Sequence, residues 1–307
     1  MGIEYNEIAY KGVVSDIEII YRFRRKTMSR EQRKKMAHET LEIQKQGYYI
    51  APSGKRVDID AAQRRSERAS YLIKPSEGES LVNSLTLPHH GEAINASYEV
   101  VNESTVKTIL GASKIGLCVA ALNFASAKNP GGGFLRGAMA QEEALSYASG
   151  LHSTQICNMA YYAENRACES MTYTDHAIYS PGVVFFRDAE NRLLETPMTC
   201  SILTLPAVNM GQVRAKGQDI MKAGQLMKAR MRLCLAILAH EKNEVVILGA
   251  YGCGVFGNDP EDVARWWREL LIEEGFSRYF KRVIFAVLDK PVGKNIKAFN
   301  YAFKDLE

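Results

Sequence analysis

The chain has 307 residues, 46% of them hydrophobic, with a formal net charge of +4. This composition excludes a disordered chain, and no segment is long and apolar enough to span a bilayer as a helix. The charge is too small for a duplex-DNA binder, and the length suits one large α/β domain with an extension, or two modest domains.

Residues 1 to about 28 show no clean periodicity. They hold a basic cluster, Arg22, Arg24, Arg25 and Lys26, which reads as a solvated face, with contact to an anionic polymer as the alternative. In "SREQRKKMAHETLEIQKQGYY", Ser29 can cap a helix, Met36, Thr40, Leu41 and Ile43 form a modest apolar stripe, and Gly47 ends it. The stretch from about 50 to 95 is polar and rich in turn residues ("PSGK", "PSEGES", "LPHHGE"). It is expected to connect, with at most short strands. From about 97 the texture changes. "YEVVNE" and "IGLCVAALNF" read as strands around a helix, "STVKTILGA". "AQEEALSYASGLHSTQICNMAYYAEN" reads as one or two helices, and "AIYSPGVVFF" and "CSILTLPAV" as strands. "GQDIMKAGQLMKARMRLCLAILAHEKN" is a long amphipathic helix, with Ile220, Leu226, Met227, Met231, Cys234, Leu235 and Leu238 near helical spacing. "EVVILGA" is an apolar run of the kind covered on both faces of a sheet. "NDPEDVARWWRELLIEEG" has capping residues, Pro260, early acids and Gly275 as a stop. "RVIFAVLD" reads as a strand and "NIKAFNYAFKDL" as a last helix.

This alternation predicts a three-layer α/β/α sandwich on a mixed, mostly parallel sheet, covering residues 96–307 and preceded by an N-terminal helical extension, 1–95. The six cysteines, Cys118, Cys157, Cys168, Cys200, Cys234 and Cys253, form no CxxC pair, and several lie in apolar runs. They read as buried free thiols of a reducing compartment. The start, "MGIEYNEIAYKG", lacks a secretion-signal pattern, so the expected location is the cytoplasm.

In a sheet covered by helices, ligands bind beyond the carboxyl ends of the strands. Two glycine loops leave such ends. The first, after "GLCVAALNF", contains Gly131, Gly132 and Gly133; the second reads "GAYGCGVFGND". Glycine lets backbone N–H groups approach an anion, and each loop leads toward a helix N-terminus, where the dipole favours negative charge. Two such loops on one cleft suit a diphosphate. Neither continues into GKS or GKT, and "GCGVFG" matches the dinucleotide spacing without the acidic residue that should follow. Gln141, Glu142 and Glu143 open the next helix. Dipole stabilisation can explain one glutamate there. Adjacent helical residues point about a hundred degrees apart, so the two carboxylates are expected to divide the work. One would hold a sugar while the other donates the proton that glycoside cleavage requires. A nearby diphosphate and a partly dry cleft would raise a carboxyl pKa, as an acid catalyst needs.

"LNFASAKNPGGGFLRGAMAQEEAL" resembles the signature of the poly(ADP-ribose) glycohydrolases, a GGG followed by QEE within a macrodomain, and more closely that of their microbial-type branch. "RKKMAHETLEIQKQGYY", "IYSPGVVFFRD", "LTLPAVNMG" and "VILGAYGCGVFGNDPEDVA" extend the likeness from about residue 30 to about 290. The resemblance implies a macrodomain fold, ADP-ribose as ligand, and cleavage of its distal glycosidic link. It implies Glu143 as the acid that protonates the leaving oxygen and Glu142 as the holder of the neighbouring ribose hydroxyls. Gly131, Gly132 and Gly133 would approach the diphosphate and distal ribose, and Asn123 and Asn129 would orient that ribose. Gln141 belongs to the same substrate-binding set. Gly252, Cys253, Gly254 and Val255 would supply the second phosphate contact, with Phe256 near the adenosine end. Tyr251 stands where the family pattern has tryptophan, Gly182 where an acid is common, and "AVN" where "APN" is expected. These departures bear on the adenine side and the rim. The implied substrate is poly(ADP-ribose). The alternatives are ADP-ribose on protein side chains and an ADP-ribose reader without catalysis; the intact Glu142–Glu143 pair argues against the reader. Expected partners are ADP-ribosylated proteins, with no DNA, membrane, metal or cofactor, and the chain is expected to act as a monomer.

Four further groups carry a blander expectation. His89–His90 follows a proline with no evident metal partners, and Asp175–His176 lacks a serine elbow and reads as a satisfied hydrogen bond. At most one of Trp266 and Trp267 can face the core. Cys253 is expected to pack inward rather than act as a thiolate.

Overall fold

The computed structural model describes residues 28–85 and 96–306. Arg22, Arg24, Arg25, Lys26, His89 and His90 lie outside them. Ser29 caps helix α1 (Arg30–Gln46) through a reciprocal capping box with Gln32, and Gly47 ends it in the left-handed conformation, φ 76°. Strands β1 (Tyr48–Ile50) and β2 (Arg56–Asp58) form a separate hairpin. The expected connecting region then yields two helices, α2 (Asp60–Ala69) and α3 (Pro75–Ser84), around a third short strand, β3 (Tyr71–Ile73). The polarity of this stretch concealed α2, whose buried face carries Gln63 and Ser66 in place of apolar residues. Gly78 of α3 faces Leu233, where a β-carbon would lie only 2.8 Å from the leucine methyl.

The α/β region comprises β4 (Ser97–Val101), α4 (Thr105–Ala112), β5 (Val119–Phe124), α5 (Gln141–Ala148), α6 (Leu151–Ile156), α7 (Met159–Ala167), β6 (Ala177–Arg187) and β7 (Leu193–Leu205). It continues through α8 (Met210–Ala215), α9 (Ile220–His240), β8 (Val245–Leu248), α10 (Pro260–Arg268), β9 (Arg282–Ala286) and α11 (Lys294–Phe303). The segment expected as one or two helices is three, broken at Ser149–Gly150 and at Cys157–Asn158.

Seven strands form one sheet in the order β3-β6-β7-β5-β8-β9-β4. β7, β5, β8, β9 and β4 are mutually parallel, whereas β6 runs antiparallel to both β7 and β3. The mixed, mostly parallel sheet with helices on both faces is thus the predicted architecture. Its edge strand β3, however, comes from ahead of residue 96, so the sheet crosses the expected division at 95. Alternation sorts the strands between two cores. Ala120, Leu122, Leu203, Leu205, Val246, Leu248, Val283 and Phe285 face α9, α10 and α11. Val119, Ala121, Cys200, Ile202, Val245, Ile247 and Ile284 face α4, α5 and α6. A third cluster joins α1 and the hairpin to Val184 and Phe186 of β6.

Several local expectations change. Cys118 lies ahead of β5 and is exposed, as is Cys157; Cys200, Cys234 and Cys253 are the buried ones. Ile220 is exposed because α9 begins there, one turn before its buried stripe. Trp267 is buried with its indole N–H donating to the Gly249 carbonyl, and Trp266 is half-buried against the edge of the same core. Gly182 occupies a register shift within β6, at φ 61°. Among the described residues no helix is long and apolar enough to cross a membrane.

Candidate active site

The parallel pairing of β7, β5 and β8 brings three loops to one edge of the sheet: 125–140 after β5, 206–209 after β7 and 249–259 after β8. The first loop and the helix that follows it hold both carboxylates. Glu142 is buried and receives three donors. Asn123 Nδ2 and Gln155 Nε2 donate to Oε1 at 3.1 and 3.0 Å, and the Ser126 N–H donates to Oε2 at 2.7 Å. These donors favour the charged form, but burial outweighs them and raises the carboxyl pKa to about 8, helped by the neighbouring Glu143. Glu143 is less enclosed. It is 8% exposed, and its Oε1 accepts the Gly133 N–H at 2.8 Å. Its Oε2 accepts no hydrogen bond among the described residues.

The glycine triplet explains how two adjacent side chains reach one place. Gly132 has φ 60°, and a β-carbon there would lie 2.6 Å from Glu143 Oε1 and 2.9 Å from Glu142 Oε2. Both carboxylates therefore close on the same bare α-carbon, although their Cα–Cβ bonds diverge on the helix. The expected division of direction is smaller than one helical step implies. The triplet also spends its amides inside the protein. Gly131 donates to Gln155 Oε1 at 2.8 Å, Gly132 to the Asn129 carbonyl at 3.0 Å, and Gly133 to Glu143. Here the glycines make room for the acids and orient them.

The second loop is built the other way. Gly252 holds φ 74° against Asn258 Nδ2 and Ala207 Cβ, and Asn258 Nδ2 donates to the carbonyls of Val208 and Gly252. The loop is thereby tied to the one after β7. The N–H groups of Gly252, Gly254, Val255 and Phe256 donate to no acceptor among the described residues. Val255 is 91% exposed. Consecutive free amides ahead of a helix are a backbone arrangement that can receive an anion. Cys253 packs inward, and burial pushes its thiol up to about 12, so it is no thiolate near neutrality. Phe256 packs its ring 5.9 Å from that of Tyr173.

Other expected site residues sit differently. Asn123 is fully buried, with its amide N–H groups given to Glu142 and Thr204, so it braces the acid from beneath instead of facing the cleft. Gln141 closes the end of β5: it accepts the Phe124 N–H and donates to the Leu122 carbonyl and Thr105. Asn129 is exposed at the loop, with its side chain unengaged among the described residues. Tyr251 is buried, its hydroxyl donating to the Leu205 carbonyl, so it supports the floor and is not a rim residue. Val208 of "AVN" is likewise buried. Asp175 pairs with Arg230, and His176 Nδ1 lies 2.9 Å from Thr174 Oγ1.

Sequence reading missed Gln155, which joins Gly131 to Glu142 from within α6. It also missed the part played by α1. Arg30 and Arg33 donate to the carbonyls of Arg136 and Gly137, Thr40 to that of Tyr147, and Gln44 to that of Ser149. The extension thus clamps both the segment between the glycines and the acids and the far end of α5. No local pattern announces contacts across roughly a hundred residues of chain.

The raised Glu142 pKa has a stability consequence. The folded protein keeps this proton up to about pH 8, whereas an unfolded glutamate loses it near its ordinary 4.5. Its contribution is therefore greatest at low pH and declines as pH rises through that window. Buried His152, lowered to about 4, slopes the opposite way between 4 and its ordinary 6.5. Above pH 6.5 Glu142 acts without that opposition. Wild-type stability should fall by about 2 kcal/mol between pH 6.5 and 8 relative to Glu142→Gln. Denaturant melts of both proteins across that range check this; parallel curves would contradict it.

The family model for "Microbial-type PARG, catalytic domain" matches residues 37–188. No curated protein matches the chain. The chain is similar to the crystal structure of poly(ADP-ribose) glycohydrolase from Thermomonospora curvata: 38% identity, TM-score 0.85, covering 89% of this chain and all of that one. The same enzyme bound to the inhibitor ADP-HPD gives 38% identity and a TM-score of 0.83. The poly(ADP-ribose) glycohydrolase from Deinococcus radiodurans, in complex with ADP-ribose, gives 38% identity and a TM-score of 0.72, covering 80% of this chain and 97% of that one.

Proposed function

Since the chain belongs to the microbial-type poly(ADP-ribose) glycohydrolases, we propose that it cleaves the ribose–ribose bonds of poly(ADP-ribose) with Glu143 as general acid and Glu142 as the ligand of the adjoining ribose. The observation that carries this division of roles is the difference between the two carboxylates where they meet at Gly132. Glu142 is enclosed by Asn123, Gln155 and the Ser126 N–H. It is fixed, and the one position left open on Oε2 suits a hydrogen bond with a sugar hydroxyl. Glu143 is held at one oxygen only, by Gly133, and its other oxygen can carry a proton to the leaving group.

The second loop supplies the complementary half. Its free amides at Gly252, Gly254, Val255 and Phe256 suit the diphosphate oxygens, which sets the distal ribose toward the first loop. Cleavage then breaks the bond between the anomeric carbon and the leaving oxygen as Glu143 delivers its proton. Positive charge develops on the sugar beside Glu142, and the deprotonated Glu143 assists the water that completes the reaction. Partners in the cell are then ADP-ribosylated proteins, with the polymer as the recognised group.

The test sets the purified protein beside polymer-modified and singly modified proteins and measures free ADP-ribose. Release from the polymer is expected. No release from the polymer, with release from the singly modified protein, would overturn the choice of substrate.

A further inference from the structure

We propose that Arg230 is a positioning residue of the substrate cleft, holding the Tyr173 wall against which Phe256 packs; this rests on the reading of the second loop as part of an ADP-ribose site. Arg230 lies on α9 and is only 2% exposed. A buried guanidinium persists only when its donors are satisfied, and here they are satisfied by loops, not by the core. Nε donates to Asp175 Oδ1 at 2.7 Å. Nη1 donates to the carbonyls of Thr172 at 2.7 Å and Pro206 at 3.0 Å, and Nη2 to that of Tyr173 at 3.5 Å. One side chain thus gathers the segment before β6 and the loop after β7.

The backbone it gathers is unusual. Tyr173 has φ 58°, which a residue with a side chain adopts only when its surroundings enforce it. Asn209 adds to the enforcement: its N–H donates to the Met171 carbonyl, and its Nδ2 lies 3.5 Å from the Tyr173 hydroxyl. The result reaches the second loop by two routes. The Tyr173 ring meets Phe256, and the Phe256 carbonyl accepts the Gly211 N–H, immediately after the loop that Arg230 holds. Releasing the guanidinium would let Tyr173 relax to negative φ and withdraw its ring from Phe256. None of the groups that hold Glu142 and Glu143 bonds to Arg230, so the loss should fall on binding and leave the chemical step.

The fork geometry makes lysine a poor replacement, because a single ammonium cannot reach all four acceptors. Arg230→Lys should therefore weaken ADP-ribose binding and raise KM for the polymer by tenfold or more, while kcat changes less than threefold. Tyr173→Ala, which leaves the pairing of buried Arg230 with Asp175 intact, should reproduce the binding loss without the loss of thermal stability. Calorimetry with ADP-ribose and steady-state kinetics on the polymer read both. A folded Arg230→Lys protein with wild-type affinity would overturn the proposal. So would Tyr173→Ala binding as tightly as wild type, and this second variant decides the matter if the first fails to fold. Wild-type protein run in parallel separates the two levels: if it binds no ADP-ribose, the reading of the site fails, whatever the variants do.

Discussion

Glu143→Gln should lower turnover on poly(ADP-ribose) by at least about a hundredfold, the usual scale for losing a general acid, while ADP-ribose still binds. The substitution is conservative for the loop. An amide oxygen at position 143 can still accept the Gly133 N–H, so the triplet keeps its shape. What disappears is the acidic proton on the oxygen that no protein group engages. Glu142 keeps its three donors and remains in place. It cannot substitute, because it is enclosed on the sheet side. Affinity by calorimetry and turnover by release of free ADP-ribose separate the two effects. Equal loss of both would mean that residue 143 acts through the loop's structure and not through its proton.

The second large effect belongs to a residue with no functional group. Gly132→Ala should cost at least about a hundredfold in turnover, since a catalytic group displaced by an ångström loses on that order. The added methyl would sit 2.6 Å from Glu143 Oε1 and 2.9 Å from Glu142 Oε2, so both carboxylates must move. The backbone at φ 60° adds strain of about 1–3 kcal/mol. Gly254→Ala is the informative contrast: nothing lies within 4 Å of a β-carbon there, and its φ is not in the left-handed region. Its thermal stability should match wild type, while that of Gly132→Ala falls. Equal melting of the two variants would show that the triplet carries no special constraint.

These contrasts explain which parts of the molecule the sequence announces. Periodicity and capping chemistry act within a few residues, so α1 with its Ser29–Gln32 box, the strands of the parallel sheet and the GGG and QEE pair are all legible. Gly132 is legible as a glycine but not as the meeting point of two acids, because that depends on α5 folding back over the loop. Asn123 and Gln141 carry the right chemistry for a sugar yet spend it on Glu142 and on the end of β5. Buried polar groups at strand ends are mostly paired, and here the Asn123 amide N–H groups and both ends of the Gln141 amide are taken by the protein, while Asn123 Oδ1 has no partner among the described residues. Helix α2 was concealed for a related reason. Gln63 faces inward to donate to the Gly150 carbonyl and to Ser153, so the helix lacks the apolar stripe that would reveal it. Gln155 and Arg230 act entirely through partners distant in sequence. Only the folded chain shows that one joins Gly131 to Glu142 and that the other ties the segment before β6 to the loop after β7.

The scissile bond and the two carboxylates must meet in one place, and a crystal structure of Glu143→Gln bound to a short poly(ADP-ribose) fragment tests this most directly. It should show the glycosidic oxygen within hydrogen-bond reach of the residue 143 side chain and the adjoining ribose hydroxyls on Glu142. Diphosphate oxygens should lie on the N–H groups of Gly254, Val255 and Phe256. A fragment whose scissile bond lies beyond reach of both side chains, or whose diphosphate rests on another loop, would contradict it.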